Sequence, residues 1–337
     1  MIRKNKIAHR HVYREILPPA LRGAWRERWL WPLALLAGLI QTGGILDAFL
    51  VSSRNIGLQS VTLFDASWSS AFRVMWQRIT EAPDSLSAIT ATEGIIVSIT
   101  VMAITIALAL IAQGGLIFGI GGTVRNGRPG LRDCLRAGAK HLPRVLALNI
   151  VTLGLLWLAR FLMLMPLALY ASSPSTGLVV ASVGVTILYI IAVLSLTAIH
   201  FFALNNIVLE EGHVAQSLER GLIMLRGSWL SIIEVSLILF AVGVGSMLAG
   251  LLLFLAMGLP VLLVLLGAVL VNASLLAEFA WFVWAMLFIV IMLMAGAFNL
   301  SFQYRAWHHL YTRLSEGPAL AKIHRWLYAM MHHLQAS

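Results

Sequence analysis

The sequence predicts an all-α polytopic membrane helical bundle: six transmembrane helices, with inner-face elbow helices and amphipathic interfacial helices. Three observations predict it. Hydrophobic residues make up 60% of the 337 positions and charged residues only 11%, where a soluble domain carries roughly 25% charged residues. Apolar runs of span length recur along the chain, and a helix needs about 20 mostly apolar residues to cross a bilayer. Basic residues gather in short flanks beside those runs, which marks the cytoplasmic side. A soluble chain of this composition could not cover its own surface. A soluble enzyme, a disordered protein and a disulfide-rich secreted domain are therefore excluded.

Taken in order, residues 1–28 read as a basic cytoplasmic arm holding Arg3, Lys4, Lys6, Arg10, Arg14, Arg22, Arg26 and Arg28. The membrane domain is expected over 29–303. Its first span covers 29–51. That run crosses a full bilayer and lacks an A-x-A exit, so it reads as a retained span rather than a cleaved signal. An external stripe follows, with Phe64, Trp68, Phe72, Trp76 and Ile79 at spacings of three or four and Asp65 or Ser60 as its cap. The second span covers 94–121. Arg125, Arg128, Arg132, Arg136, Lys140 and Arg144 separate it from the third, 145–170. The uncharged loop Ser172–Gly177 turns outside into the fourth span, 178–204. The fifth covers 229–257 and the last 279–302. The stretch 258–278 starts around Pro260 and is short for a span, which suits a re-entrant or interfacial segment.

Residues 304–337 form a cytoplasmic amphipathic tail. Leu320, Ile323, Leu327, Met330, Met331 and Leu334 line one face, and Lys322, Arg325, His332 and His333 the other. Both stripes suit the membrane interface or packing on the bundle, because a single apolar face serves either. An even number of spans keeps both basic ends inside; a seventh over 258–278 would part them.

The net charge of +10, from 24 basic and 14 acidic residues, reads as topology and anionic-lipid contact rather than nucleic-acid binding. No stacking platform or basic groove motif accompanies it. The expected headgroup contacts are Arg22, Arg26, Arg28, Arg132, Arg136, Lys140 and Arg144. Cys134, the one cysteine, has no His or carboxylate at nucleophile or ligand spacing.

Chemistry-bearing motifs are few. There is no G-x-x-x-x-G-K-[ST], no H-E-x-x-H and no G-x-S-x-G. The pairs His308–His309 and His332–His333 project about 100° apart on a helix, so neither makes a two-ligand face. No metal, cofactor or catalytic set is expected. Two constellations lie at membrane depth. Asp47 and Arg160 stand roughly 27 and 22 Å from the inner ends of their spans by helix rise. They are expected to pair or to share a water-filled outer pocket, as an ion or substrate site or as a structural pair that snorkels. Gln113, Asn149, Asn205, Asn206, Glu234, Asn299 and Gln303 fall within about two turns of inner span ends. They form either a polar vestibule open to the cytoplasm or ordinary polar punctuation. Glu234 is the only acid inside the fifth span. Small pairs such as Gly115 with Gly119 and Gly245 with Ala249 allow close helix contact within the bundle or in a dimer.

The joints before the third and fifth spans read GLRDCLRAGAKHLPRVLAL and HVAQSLERGLIMLRGSWLS. Aligned without gaps, Leu135 matches Leu218, Gly138 matches Gly221 and Leu142 matches Leu225. At the N-terminal joint Arg26 and Trp29 fall where Arg226 and Trp229 fall later. This predicts three helical hairpins with one shared plan. The segments GTVRNGRPGLRDCLRAGAKHLPRVL and NNIVLEEGHVAQSLERGLIMLRGSW resemble bacterial membrane proteins grouped with the glycerophosphoryl diester phosphodiesterase membrane domain, and related six-span families of unknown function. The resemblance covers roughly residues 94–310. It implies a six-helix domain in a bacterial inner membrane. It does not imply phosphodiesterase activity, because the catalytic domain of that family is a separate barrel for which this chain has no room.

The resulting expectation is an integral membrane protein without catalytic activity, with both termini cytoplasmic. It would act in membrane organisation through lipids, a protein partner or a homodimer. A transporter or permease subunit using the inner vestibule is the second reading. An intramembrane enzyme is the third, since no nucleophile–base or metal set is visible.

Overall fold

The computed structural model describes residues 12–40, 88–124, 127, 129–172, 175–271 and 273–316, and every regular element among them is helical. Helix α1 spans Val12–Arg26. A 3₁₀ turn at Arg28–Leu30 leads into α2, Trp31–Gly38. Pro32 sits in the first turn of α2, where a missing N–H has no intrahelical partner to lose. The long helices are α3 (Ala88–Val124), α4 (Leu131–Ser172), α5 (Thr176–Leu209), α6 (Val214–Leu270) and α7 (Ser274–Ser315). Local chemistry fixes two of their starts. Asp133 reaches back to accept from the Gly130 N–H at 3.1 Å, and the Ser175 hydroxyl accepts from the Leu178 N–H at 3.3 Å. Both satisfy donors that a helix start leaves open.

Helices α3–α7 are each long and apolar enough to cross a membrane, which makes the chain a membrane-embedded helical bundle. Their outer faces carry exposed Leu188, Leu252, Phe161 and Phe282, a surface that lipid tolerates and water does not. Consecutive long helices pack as antiparallel hairpins, while α1 and α2 return onto α7 and α2 also meets α3.

The densest packing lies at the end holding the basic joints. Phe201–Val208 of α5 is buried without a break. The Phe201 ring stacks on Trp307 at 5.4 Å, and meets Tyr304 edge-on at 4.9 Å. Glycines let the backbones close in there. A Cβ on Gly138 would stand 2.0 Å from the Ile111 carbonyl oxygen, and one on Gly115 would stand 2.6 Å from that of Cys134.

The joints behave differently from one another. The backbone leaves helical geometry at Glu27 (φ −106°, ψ 54°) and at Ser228 (φ −145°, ψ 27°), so two joints bend where a turn into a span is expected. The joint before the third span does not: α4 runs through it unbroken, with Pro143 inside. The stretch 258–278 divides between two helices. Residues to Leu270 continue α6 with Pro260 inside, and α7 begins at Ser274. A proline removes one donor, but apolar surroundings offer the backbone no alternative to the helix. Asp47, the outer part of the first span, the Phe64–Ile79 stripe and the Leu320–Leu334 stripe lie outside the described residues.

Candidate functional site

The polar residues expected at membrane depth sort into three groups, and the first is a closed node. Gln113 on α3, Asn149 and Thr152 on α4 and His200 on α5 meet inside the bundle. Asn149 Nδ2 donates to Gln113 Oε1 at 2.8 Å and to the Val145 carbonyl at 2.8 Å. Gln113 Nε2 lies 3.0 Å from His200 Nε2, and His200 Nδ1 lies 3.2 Å from Thr152 Oγ1. Thr152 in turn donates to the Leu148 carbonyl. The donors therefore run one way: Asn149 to Gln113, Gln113 to His200, His200 to Thr152, Thr152 to the backbone. This chain assigns a neutral imidazole with its proton on Nδ1. The Tyr304 hydroxyl of α7 lies beside Gln113 without reaching hydrogen-bond geometry. Gln113, Asn149 and Thr152 are buried and His200 is half-buried, so the node reads as a structural connector. No ring nitrogen is left to take a proton from a substrate.

The second group ties the α5–α6 turn to α7. Asn205 Oδ1 pairs with His308 Nδ1 at 2.7 Å. Asn206 Nδ2 donates to Glu210 Oε2 at 2.9 Å, and Asn206 Oδ1 accepts from the Ser217 hydroxyl at 2.8 Å. The Tyr311 hydroxyl donates to Glu210 Oε1 at 2.6 Å, and Arg220 also pairs with Glu210. Beside them Glu211 holds a left-handed backbone (φ 56°). Its carboxylate meets Lys140 Nζ at 2.5 Å and its carbonyl accepts from Arg144 at 2.9 Å. The Lys140 ammonium holds the Glu211 carboxyl below the ordinary value of 4.5.

The remaining vestibule residues do not join these. Asn299 and Gln303 flank Gly243 of α6, where an added Cβ would lie 3.6 and 3.8 Å from their side chains. The buried Oδ1 of Asn299 has no hydrogen-bond partner among the described residues. Glu234 is half-buried, with no ion pair among the described residues. Arg160 lies over the Trp157 ring one turn away, 5.8 Å from its centroid; its expected partner Asp47 is outside the described residues.

The basic residues also divide. Lys140 and Arg144 are engaged with Glu211, and Arg28 caps the Trp25 carbonyl and covers the Trp25 ring at 4.3 Å. Arg22, Arg26, Arg132 and Arg136 are exposed. Sequence reasoning missed Thr152, Glu210, Ser217, Tyr311 and the pair of Arg305 with Glu27. Arg305 is 2% exposed and its Nη2 meets Glu27 Oε2 at 2.5 Å. The partners lie 278 residues apart, and no local spacing announces them. Among the described residues no three His, Cys, Asp or Glu side chains gather to hold a metal ion. No family model, no curated protein and no solved structure matches the chain.

Proposed function

We propose that this chain is an integral membrane protein without catalytic activity that organises its surroundings by contact with anionic lipid. In this reading it lies in a bacterial inner membrane with both termini and the basic joints cytoplasmic. The observation that carries it is the cationic rim around the packed end. Arg22, Arg26, Arg132 and Arg136 are exposed there, and none of them forms a salt bridge among the described residues. Leu30 and Cys134 meet over Gly119, so the α1–α2 bend and the start of α4 share that end. Each basic residue near an anionic surface adds roughly 1 kcal/mol of attraction. Sealing of the Gln113 and Asn206 groups by their own hydrogen bonds supports a structural role over a conduit.

Six crossings belong to the same reading. Gly23 faces Arg305 and Gly38 faces Leu300, so α2 leaves the packed end and runs inward along α7. The proposal adds one crossing to the five candidate spans of α3–α7.

Native mass spectrometry of the detergent-purified chain tests the proposal. With equal phosphatidylglycerol and phosphatidylcholine, the wild type retains the anionic lipid preferentially, and joint replacement of Arg22, Arg26, Arg132 and Arg136 by Gln removes most of that preference. Equal retention of both lipids by the wild type, or solute flux through reconstituted vesicles that Gln113→Leu abolishes, overturns it.

A further inference from the structure

A cavity of about 410 Å³ opens between α5 and α6 at the Ser228 bend. Ile191, Leu194 and Ser195 line it from α5, and Leu225, Arg226, Trp229, Ile232 and Ile233 from α6. Its volume lies within the roughly 300–1,000 Å³ of small-molecule sites. Ile232 is buried, while Ile191, Trp229 and Ile233 are exposed along its edges. The Ser195 hydroxyl is spent on the Ile191 carbonyl at 2.8 Å, so apart from Arg226 and the Trp229 indole the groove presents hydrocarbon. The Arg226 side chain is exposed and meets no carboxylate among the described residues.

The position fits one leaflet. The first twenty residues of α5, Thr176 to Ser195, rise about 30 Å, the thickness of the hydrocarbon core. Arg226 shares the groove with Ser195 and so stands at headgroup level. From Leu225 to Ile233 the groove runs about 12 Å along the helix, close to the depth of one leaflet at roughly half of that core. The bend at Ser228 makes the shape. Residues on both sides of it line the groove, and Gly227 beside it has open space where a Cβ would stand.

We propose that this groove binds one anionic phospholipid of the cytoplasmic leaflet, its phosphate on the Arg226 guanidinium and one acyl chain along Ile191, Leu194, Ile232 and Ile233. The guanidinium fork matches phosphate oxygens in geometry and charge. Trp229 at the rim suits the headgroup boundary. This rests on the lipid-contact reading and narrows it from a diffuse rim to a single built site.

The test uses the full chain in mixed micelles with a phosphatidylglycerol that carries a photoreactive diazirine on its acyl chain. Crosslinks should map to 191–195 or 225–233. Arg226→Gln should lower labelling about fivefold, the loss of one surface cation's attraction, while a phosphatidylcholine probe labels both proteins alike. Ile191→Trp should fill the groove and abolish labelling there with either probe, with an unchanged unfolding temperature showing that the fold survives. Labelling spread over the bundle and indifferent to both substitutions overturns the site. If the Arg22, Arg26, Arg132 and Arg136 replacements alone remove labelling, the site fails and the rim reading stands. Equal labelling of the wild type by both probes overturns the site's preference for an anionic headgroup.

Discussion

Gly138 is the residue at which the α3–α4 hairpin has least freedom. A Cβ there would meet the Ile111 carbonyl oxygen at 2.0 Å and the Gly115 nitrogen at 2.9 Å. Both are backbone atoms, which cannot swing away as a side chain can. Overpacking typically costs about 1–3 kcal/mol, and Gly138→Ala should lie at or beyond the upper end. Gly154 and Gly184 are helical with nothing within 4 Å of an added Cβ, so alanine there should be neutral or stabilising, by up to roughly 1 kcal/mol. Thermal unfolding in detergent separates the cases, and equal midpoints for Gly138→Ala and Gly154→Ala would refute the backbone crossing. Gln113 makes a second residue-level case. Gln113→Leu removes its bonds to Asn149 and His200 and leaves His200 Nε2 without its donor. Interhelical hydrogen bonds in membranes average roughly 0.6 kcal/mol and reach about 1.7, so the loss should be about 1–3 kcal/mol. Unfolding in increasing SDS measures it, and no loss would mean that the node is not formed.

The α5–α6 turn is the element whose stability depends most on its polar ties. A Cβ on Gly212 would fall 2.1 Å from Asn206 Oδ1, the atom that accepts from Ser217. Gly212→Ala and Asn206→Ala should each destabilise by about 1–3 kcal/mol. Together they should cost clearly less than their sum, because removing the amide removes the clash. Additive losses would contradict the shared contact. Acid loosens the same turn. Glu211 titrates below its ordinary value because Lys140 stands beside it. A carboxylate depressed on folding contributes stability that is present above its unfolded value and lost as the pH falls through its folded one. Any difference in unfolding temperature between wild type and Lys140→Met should therefore disappear as the pH drops well below 4.5. A difference that persists in strong acid would mean that the ion pair is not its source. At this scale the sequence is legible where one stretch carries its own signal. Apolar runs locate the long helices, and the aligned Gly138 and Gly221 both pack on a carbonyl of the preceding helix, Ile111 and Ile199. It is illegible where partners are distant. Asn206 reads as polar at a span end, but its neighbours Ser217 and Tyr311 come from two other helices. Pro260 suggests a boundary, yet a helix in an apolar setting keeps its own hydrogen bonds and runs through.

For the whole molecule, the return of α1 and α2 onto α7 decides which ends lie together. Gly23 lies under the Arg305 guanidinium, and Arg305 is buried against Glu27. Glu27 is 24% exposed, so removing it should cost less than the roughly 3–5 kcal/mol of a fully buried pair, but it leaves the Arg305 charge buried, and the α1–α7 contact should be a fixed part of the folded chain. The proposed topology therefore puts Arg22, Arg136 and Ser315 on one side of the membrane, with Thr176 and Ser274 on the other. Cysteine at each site, placed singly in a Cys134→Ala background, turns this into a labelling pattern. A membrane-impermeant maleimide added to inverted vesicles should reach Arg22→Cys, Arg136→Cys and Ser315→Cys but not Thr176→Cys or Ser274→Cys, and intact cells should give the reverse. The Arg22 position tests the proposed span count, because α3–α7 supply five candidate crossings and the proposal adds one more. Labelling of Arg22→Cys from the Thr176 side would overturn the proposed sixth crossing. It would also place Glu27 and Arg305 on opposite faces of the bilayer, which their 2.5 Å contact does not allow.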